Sequence, residues 1–182
     1  MKIYSLILLL IFFSTKTLAS NKENIIKNLE LIDNMSFKFE QNVNGKKESG
    51  MCTIKYPKKI NCKYNLQNQK ILISNGKSLV IQTITSYYLY PLEKTPLNLI
   101  LDKKFLVNKI KNLEERIIEN KFINYNFIEN DNEINIFFDK KNHNLIGWQT
   151  LDIYQNLSIT YLYSIIKNQK LEKNIFKIPR QN

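Results

Sequence analysis

The stretch MCTIKYPKKINC, residues 51–62, contains both cysteines of the 182-residue chain, Cys52 and Cys62. If the chain turns at the proline, Ile54 faces Ile60, and the two cysteines form the next pair on the same face. Opposed residues of an antiparallel pair lie about 4.5–5.5 Å apart at Cα, which is within reach of a disulfide. The stretch therefore predicts an antiparallel hairpin, and the compartment decides whether the cysteines are joined.

The first twenty residues, MKIYSLILLLIFFSTKTLAS, indicate that compartment. One lysine precedes an apolar core from Ile3 to Phe13, and small residues follow at Thr17 and Ala19, which is the layout of a secretory signal peptide. The apolar run is shorter than the roughly 20 residues of a membrane-spanning helix. We predict that residues 1–19 are cleaved after Ala19, and an uncleaved membrane anchor is the alternative.

The mature chain then begins at Ser20. No cysteine is available at the new N-terminus to carry a lipid, so we predict an unanchored, exported protein. In an oxidising compartment Cys52 and Cys62 should form a disulfide, and two buried free thiols are the alternative. We interpret the cysteines as a structural cross-link rather than a catalytic or metal-binding pair.

Residues 20–182 have the length of one domain, and four glycines and four prolines in the whole chain argue against long linkers. Without residues 1–19 the formal net charge falls from +11 to +9. An exported protein seldom meets nucleic acid, so the basic balance favours an anionic membrane surface or an acidic partner. The lysines are dispersed, and we interpret them mainly as solvated surface charges.

The hydrophobic pattern predicts an α+β fold. Residues 21–34 have helical spacing, and residues 95–101 read as a short helix with Thr95 as N-cap and Pro96 in the first position. Residues 105–117 favour a helix, although their β-branched residues leave a strand open. The remaining segments alternate with period two and predict an antiparallel meander with Asn-Gly turns at positions 44–45 and 75–76; they are residues 36–43, 52–56, 60–64, 71–73, 79–81, 122–128, 133–138, 145–153 and 157–165.

Groups that could catalyse a reaction or bind a metal are few in this sequence. The single histidine, His143, lies in the polar stretch KKNHN, and two cysteines with one remote histidine do not make a zinc site. The sequence has no glycine-rich phosphate loop, no G-x-S-x-G motif and no H-E-x-x-H motif. We therefore predict that the protein is not an enzyme and needs neither cofactor nor metal.

Large apolar side chains are abundant, with ten tyrosines, ten phenylalanines and one tryptophan. Many of them stand at alternate strand positions and must share one face of the sheet. A curved sheet with a few short helices over it can enclose either an apolar cavity or a dry core, and the alternation fits both. A polar substitution on this face would weaken ligand binding in the first case and unfold the protein in the second.

Six short motifs follow one another along the mature chain. They are MSFKFEQ at residues 35–41, Gly50 followed by IKYP at 54–57, ILISNGKSL at 71–79, TPLNLIL at 95–101, LIGWQTLD at 145–152 and FKIP at 176–179. None is specific alone. In this order, over nearly all of the mature chain, they resemble the family of the periplasmic outer-membrane lipoprotein carrier LolA.

The resemblance implies an incomplete, strongly curved antiparallel β-barrel with a few short helices as a lid over its concave apolar face. It implies a periplasmic chaperone that carries acylated lipoproteins from an inner-membrane ABC transporter to an outer-membrane receptor, with the acyl chains in an apolar cavity. We also expect a monomer that binds no nucleic acid. On this interpretation the cavity and lid include Phe37, Phe39, Ile54, Tyr56, Tyr64, Leu79, Ile81, Leu97, Ile100, Leu101 and Trp148.

Two features bear on how far the resemblance extends. The family commonly has an arginine before the hairpin proline, thought to hold the lid closed, whereas this chain has Tyr56, which offers one hydroxyl donor and no charge. The receptor LolB shares the fold but is itself a lipoprotein, so Ser20 favours the soluble carrier. A generic periplasmic binder of hydrophobic ligands, a LolB-like acceptor and an envelope protein with a dry core are the alternatives.

Overall fold

The computed structural model describes residues 20–180. The predicted signal peptide and its cleavage after Ala19 lie outside the described residues. The helices are α1 (Asn21–Glu30), α2 (Leu97–Ile100) and α3 (Lys103–Asn112), and a 3-10 turn covers Leu92–Lys94. The strands are β1 (Asn34–Val43), β2 (Lys46–Lys55), β3 (Lys59–Tyr64), β4 (Ile71–Asn75), β5 (Ser78–Gln82), β6 (Tyr87–Pro91), β7 (Arg116–Ile118), β8 (Phe122–Glu129), β9 (Asn132–Asp139), β10 (Leu145–Leu151) and β11 (Leu157–Lys167).

These strands form one antiparallel sheet in the order β6-β5-β4-β3-β2-β1-β11-β10-β9-β8-β7. Because β6 and β7 lie at its two edges, the sheet is open rather than closed into a barrel. In a flat sheet, the six strand spacings from β6 to β11 would measure about 29 Å. The turn that leads into β11 nevertheless reaches the edge strand β6, because Tyr154 of the turn and Tyr88 of β6 line the same cleft. The sheet is therefore strongly curved, and the predicted fold class is confirmed.

The hairpin predicted from MCTIKYPKKINC is formed by β2 and β3. Cys52 pairs with Cys62, Ile54 pairs with Ile60, and a disulfide joins the two cysteines. The β1–β2 turn at positions 44–45 has positive φ angles of 47° and 86°. Such angles suit Asn and Gly, so this turn forms where the sequence predicted it.

Helix α1 begins with a capping box at Ser20. The Ser20 hydroxyl accepts from the Glu23 N–H at 3.2 Å, and the Ser20 N–H donates to the Glu23 carboxylate at 2.9 Å. Both bonds satisfy N–H groups that the helix itself cannot pair. The helix then buries Ile25 and Leu29, which are 0% and 1% exposed, against the sheet.

Helix α3 lies beside α1 and begins at Asp102, whose carboxylate accepts from the Phe105 N–H at 3.1 Å. Its Leu106 and Ile110 are fully buried in the same hydrophobic core as α1. We call this part of the molecule the packed end: α1, α3, Leu99–Leu101 and the side chains of the sheet in contact with them. The β2–β3 turn contributes Tyr56, and the sheet contributes Met35, Phe37, Phe39, Cys52, Ile54, Ile60, Cys62, Ile123, Tyr125, Phe127, Ile134, Ile136, Phe138, Leu145, Trp148 and Leu162.

Three local features differ from the sequence-based expectation. The prediction of Thr95 as the N-cap of α2 is wrong: Pro96 is the N-cap, and the Thr95 hydroxyl donates to the Leu92 carbonyl at 2.8 Å, which closes the preceding 3-10 turn. Residues 105–117 divide, since α3 ends at Asn112 and β7 begins at Arg116. The edge strand β6 was not predicted.

The segment 168–180 follows β11 without a helix or strand. Asn61, which points away from the core between Ile60 and Cys62, donates its amide to the Ile175 carbonyl. Farther along, the Tyr87 hydroxyl donates to the Pro179 carbonyl at 3.0 Å. The segment therefore crosses the convex face from β3 to β6. Within residues 20–180, no helix is both long enough and apolar enough to span a membrane.

Candidate functional site

A cleft of about 330 Å³ opens on the concave face, beside the packed end. Its lining comes from β1 to β6 and the loops between them, from the end of β10, the β10–β11 turn and the start of β11, and from the start of α2. The same strands that fill the packed end thus continue into the cleft. Its volume is at the lower end of the roughly 300–1,000 Å³ found in ligand pockets.

One side of the cleft is apolar. Leu72 pairs with Ile81 across β4 and β5, and Ile81 pairs with Tyr88 across β5 and β6. Leu79 lies on the same face of β5, and Leu97 of α2 lies opposite. We call Leu72, Leu79, Ile81, Tyr88 and Leu97 the apolar wall.

The other side is polar and connected by hydrogen bonds. The Lys70 ammonium donates to the Glu48 carboxylate at 2.6 Å and lies 4.2 Å from the centroid of the Tyr64 ring. The Tyr64 hydroxyl donates to the Gln41 Oε1 at 3.3 Å, and the Gln41 amide donates to the Ser158 hydroxyl at 2.9 Å. We call these five residues the polar floor.

The ion pair of the polar floor is sheltered from water. The Glu48 side chain is 7% exposed and the Lys70 side chain 22%. A second ammonium, that of Lys46, lies 3.9 Å from Glu48, and this lysine is 74% exposed. Burial, and then the Glu48 carboxylate, raise the pKa of Tyr64 well above its ordinary value, so the Tyr64 hydroxyl stays protonated.

The cleft opens beside the β10–β11 turn. Asp152 orders this turn, because its carboxylate accepts from the N–H groups of Tyr154 at 2.8 Å and Asn156 at 2.9 Å. A hydrogen bond to Tyr90 raises the pKa of Tyr154 to about 12, with smaller contributions from burial and nearby charge. This bond joins the turn to the edge strand β6 across the mouth of the cleft.

A model of the outer membrane lipoprotein carrier protein LolA family matches residues 21–179. The chain belongs to the LolA family. The match covers almost all the described residues, so the curved sheet, its helices and the cleft all lie within the family region. The resemblance predicted from the six sequence motifs is confirmed.

Solved structures with a similar fold are distant in sequence. An uncharacterized conserved protein from Thermus thermophilus has a TM-score of 0.52 at 7% identity, over 90% of this chain and 96% of that chain. A LolA superfamily protein from Nitrosomonas europaea has a TM-score of 0.46 at 8% identity, over 88% of this chain and 99% of that chain. No curated protein sequence matches this LolA family member.

The residues predicted for the cavity and lid fall into two groups. Tyr64, Leu79, Ile81 and Leu97 line the cleft. The other seven lie in the packed end, where six of them are at most 6% exposed and Tyr56 is 9% exposed. They are Phe37, Phe39, Ile54, Tyr56, Ile100, Leu101 and Trp148. Their role in ligand binding stays a prediction.

Tyr56 occupies the position before the hairpin proline. Its hydroxyl is buried and has no hydrogen-bond partner among residues 20–180. Burial raises the pKa of Tyr56 above its ordinary value. Lys58 instead joins this hairpin to the junction of α2 and α3: its N–H donates to the Leu101 carbonyl at 2.9 Å, and its ammonium lies 3.5 Å from the Asp102 carboxylate.

Most of the polar floor was not predicted from the sequence. Gln41, Glu48, Lys70 and Ser158 were absent from the predicted site. A signal was present, because Gln41 lies two residues beyond Phe39 and Glu48 is in phase with Cys52 and Ile54, so alternation alone assigns them to the concave face. Among residues 20–180, no cluster of three or more His, Cys, Asp or Glu residues could hold a metal.

Proposed function

We propose that the mature protein is a periplasmic chaperone for acylated lipoproteins. It accepts them from an inner-membrane ABC transporter and delivers them to an outer-membrane receptor, with acyl chains held in the cleft. The observation that supports this most directly is the cleft itself, with its apolar wall, in a chain of the LolA family. The proposed carrier has no catalytic step and needs no cofactor.

The size of the cleft bears on how it holds cargo. At about 330 Å³ it is small for a ligand pocket, and a lipoprotein with several acyl chains needs more room. We expect α2 to move away from the sheet when cargo binds. Leu97 is suited to this, because it is half-buried between the cleft and the packed end.

The closed position of α2 has identifiable contacts. The Lys58 N–H bonds the carbonyl of Leu101 at the end of α2, and the Lys58 ammonium pairs with Asp102. In this chain these contacts take the part assigned to the arginine in the family resemblance. The Tyr56 hydroxyl takes no part in them, since it has no hydrogen-bond partner in the described part of the chain.

Release of cargo requires a competitor for the acyl chains. Each buried CH₂ contributes about 0.8 kcal/mol, so a long chain in the cleft binds tightly on its own. Closure of α2 brings Leu97 against the strand residues of the apolar wall and removes the same surface from water without cargo. Opening therefore costs free energy that offsets part of the gain from binding, and this makes transfer to a receptor feasible.

The proposal is tested with spheroplasts that contain a compatible lipoprotein-releasing transporter. Incubation with purified residues 20–182 should release newly made lipoprotein into the supernatant as a soluble one-to-one complex, which outer membranes then accept. Without a carrier, lipoprotein should stay in the membrane because its acyl chains are too apolar to leave it. If it stays there despite folded protein and an active transporter, the carrier proposal fails.

Two variants make the test specific. Leu97→Asn places a polar group in the apolar wall and should reduce release. Leu31→Asn changes a leucine that is 63% exposed at the end of α1, away from the cleft, and should release as the unchanged protein does. Binding of a hydrophobic probe without transporter-dependent release would favour the generic binder, and acceptance of lipoprotein from another carrier would favour the LolB-like acceptor.

A further inference from the structure

A cavity that binds only hydrocarbon does not need the polar floor. Glu48 and Lys70 form an ion pair in which the carboxylate is 7% exposed, and neither belongs to the hydrophobic core. Removing charges from water is costly, and apolar residues of similar volume often serve stability equally well. A sheltered ion pair inside a ligand cleft therefore indicates a role in binding.

The polar floor and the apolar wall are close enough to contact one ligand. Lys70 immediately precedes β4 and lines the cleft together with Leu72, and two residues of extended chain span about 7 Å. Leu72 pairs with Ile81 across β4 and β5, so the apolar surface extends from Leu72 to Ile81. A molecule with a polar head and an acyl chain can thus contact both surfaces.

Hydrogen-bond donors dominate the floor. Lys70 has three N–H protons and uses one for Glu48, while the Ser158 hydroxyl accepts from Gln41 and retains its own proton. Lys46 adds a second positive charge near the single carboxylate. The ligand groups that suit this surface are hydrogen-bond acceptors.

We propose that the polar floor binds the ester and amide carbonyls at the head of an acyl chain, with the chain itself on the apolar wall. This inference rests on the proposed function of the cleft as an acyl-chain site. In this proposal, Glu48 positions Lys70 next to the polar head of the ligand, and Gln41 positions Ser158 there. These are positioning residues, while Lys70 and Ser158 contact the carbonyl oxygens.

The test compares two probes that differ in their polar atoms. Diphenylhexatriene, a hydrocarbon, reports the apolar wall by its fluorescence, and 1-monomyristoylglycerol, an ester, displaces it. Replacing both partners of the ion pair, Glu48→Leu with Lys70→Leu, leaves no sheltered charge unpaired, since the remaining Lys46 is 74% exposed. We expect this double variant to bind the monoglyceride about tenfold more weakly and diphenylhexatriene more tightly, since the floor becomes apolar.

Control and second variants keep the result interpretable. Lys38→Leu with Glu40→Leu removes one positive and one negative charge from exposed positions of β1 and should move neither affinity. Gln41→Leu keeps the ion pair intact and should weaken monoglyceride binding alone, by several-fold. Gln41→Leu decides the matter if the double variant does not fold.

The outcomes separate this inference from the function on which it rests. One outcome is that diphenylhexatriene binds the unchanged protein while the floor variants change the affinities for both probes equally, or change neither. In that case the polar floor does not bind the head group, and the cleft remains a site for acyl chains. If diphenylhexatriene fails to bind the unchanged protein, both proposals fall. A synthetic lipopeptide with diacylglyceryl cysteine and a phospholipid with the same chains, used as competitors, then distinguish the two sources of such carbonyls.

Discussion

The packed end and the cleft are built from the same strands yet differ in what covers them. Along the concave face of β1, Phe37 and Phe39 are 2% and 1% exposed in the core, whereas Gln41 and Val43 line the cleft. β2 repeats the change, from Ile54 to Glu48. The two long helices α1 and α3 cover the first region, and the four-residue α2 covers part of the second.

Strand alternation and burial are therefore set by different parts of the structure. Period-two alternation assigns a residue to one face of the sheet, but the helices decide which part of that face is filled. Where two helices add their own apolar side chains, the face becomes core. Where only the start of α2 approaches, space is left, and polar residues become tolerable there.

The largest effect is expected from truncating an aromatic side chain in the packed end. Phe37→Ala removes a ring that makes an edge-on contact with Trp148, with 6.3 Å between ring centroids. We expect a loss of about 3–5 kcal/mol in the free energy of unfolding, measured by urea denaturation, because a cavity is left in a packed core. If stability hardly changed while probe affinity fell, Phe37 would belong to the ligand site.

The disulfide comes next in expected size and also lies in the packed end. Cys52→Ala with Cys62→Ala should lower the free energy of unfolding by about 2–3 kcal/mol, since the closed loop is short and the gain comes mainly from restricting the unfolded chain. Affinity for diphenylhexatriene, measured below the unfolding transition, should stay the same. Complete thiol labelling of exported wild-type protein would contradict the cross-link.

A polar substitution in the apolar wall should give the opposite pattern. Leu97→Asn is expected to weaken diphenylhexatriene binding about tenfold, equivalent to about 1.4 kcal/mol, and to lower the free energy of unfolding by less than about 1 kcal/mol. Fluorescence titration and urea denaturation measure the two effects. Unfolding without a prior loss of affinity would move Leu97 into the packed end and remove the contrast between the regions.

Much of the fold was accessible from sequence because its signals are local. Alternation identified nine of the strands at least in part, the Asn-Gly pair at positions 44–45 marked a turn, and MCTIKYPKKINC gave the pairing of Cys52 with Cys62. The strand β6 was not predicted because its sequence, YYLYP, is apolar throughout and shows no alternation. The prediction of Thr95 as an N-cap was wrong because its hydroxyl donates to the carbonyl of the preceding Leu92 and does not accept from an N–H group of α2.

The site was less accessible because it depends on contacts distant in sequence. In the polar floor, Gln41 of β1 bonds to Ser158 of β11, and Glu48 of β2 bonds to Lys70. No local sequence pattern predicts these pairs. Apolar residues such as Phe39 and Leu79 look alike in sequence, although the first lies in the packed end and the second lines the cleft. Only the positions of the helices separate them.

A smaller effect is expected at the hairpin, next to the lid. Tyr56→Phe removes a buried hydroxyl that has no partner within residues 20–180 and keeps the ring, which lies 5.8 Å from the Lys103 ammonium. The free energy of unfolding should rise by about 1 kcal/mol, because an unsatisfied polar group is no longer buried. A fall in stability together with a change in probe affinity would show that the hydroxyl holds the lid.

The smallest effect is expected at the mouth of the cleft, where Tyr154 hydrogen-bonds Tyr90. Tyr154 is 58% exposed, so Tyr154→Phe should change the free energy of unfolding by less than about 0.5 kcal/mol. Loss of the bond should nevertheless free the β10–β11 turn and raise the dissociation rate of diphenylhexatriene about twofold in stopped-flow displacement.

The pH dependence of that rate distinguishes the hydrogen bond from the bulk of the ring. The folded-state pKa of Tyr154, about 12, lies above the ordinary value of about 10, so the folded state favours the protonated hydroxyl. The contribution of this hydroxyl to stability is therefore complete below pH 10 and is lost as the pH approaches 12. Dissociation from the unchanged protein should therefore stay slow to pH 10 and then approach the rate of Tyr154→Phe. Equal rates for the two proteins at pH 8 would mean that the mouth is not held by this bond, and that α2 alone controls access to the cleft.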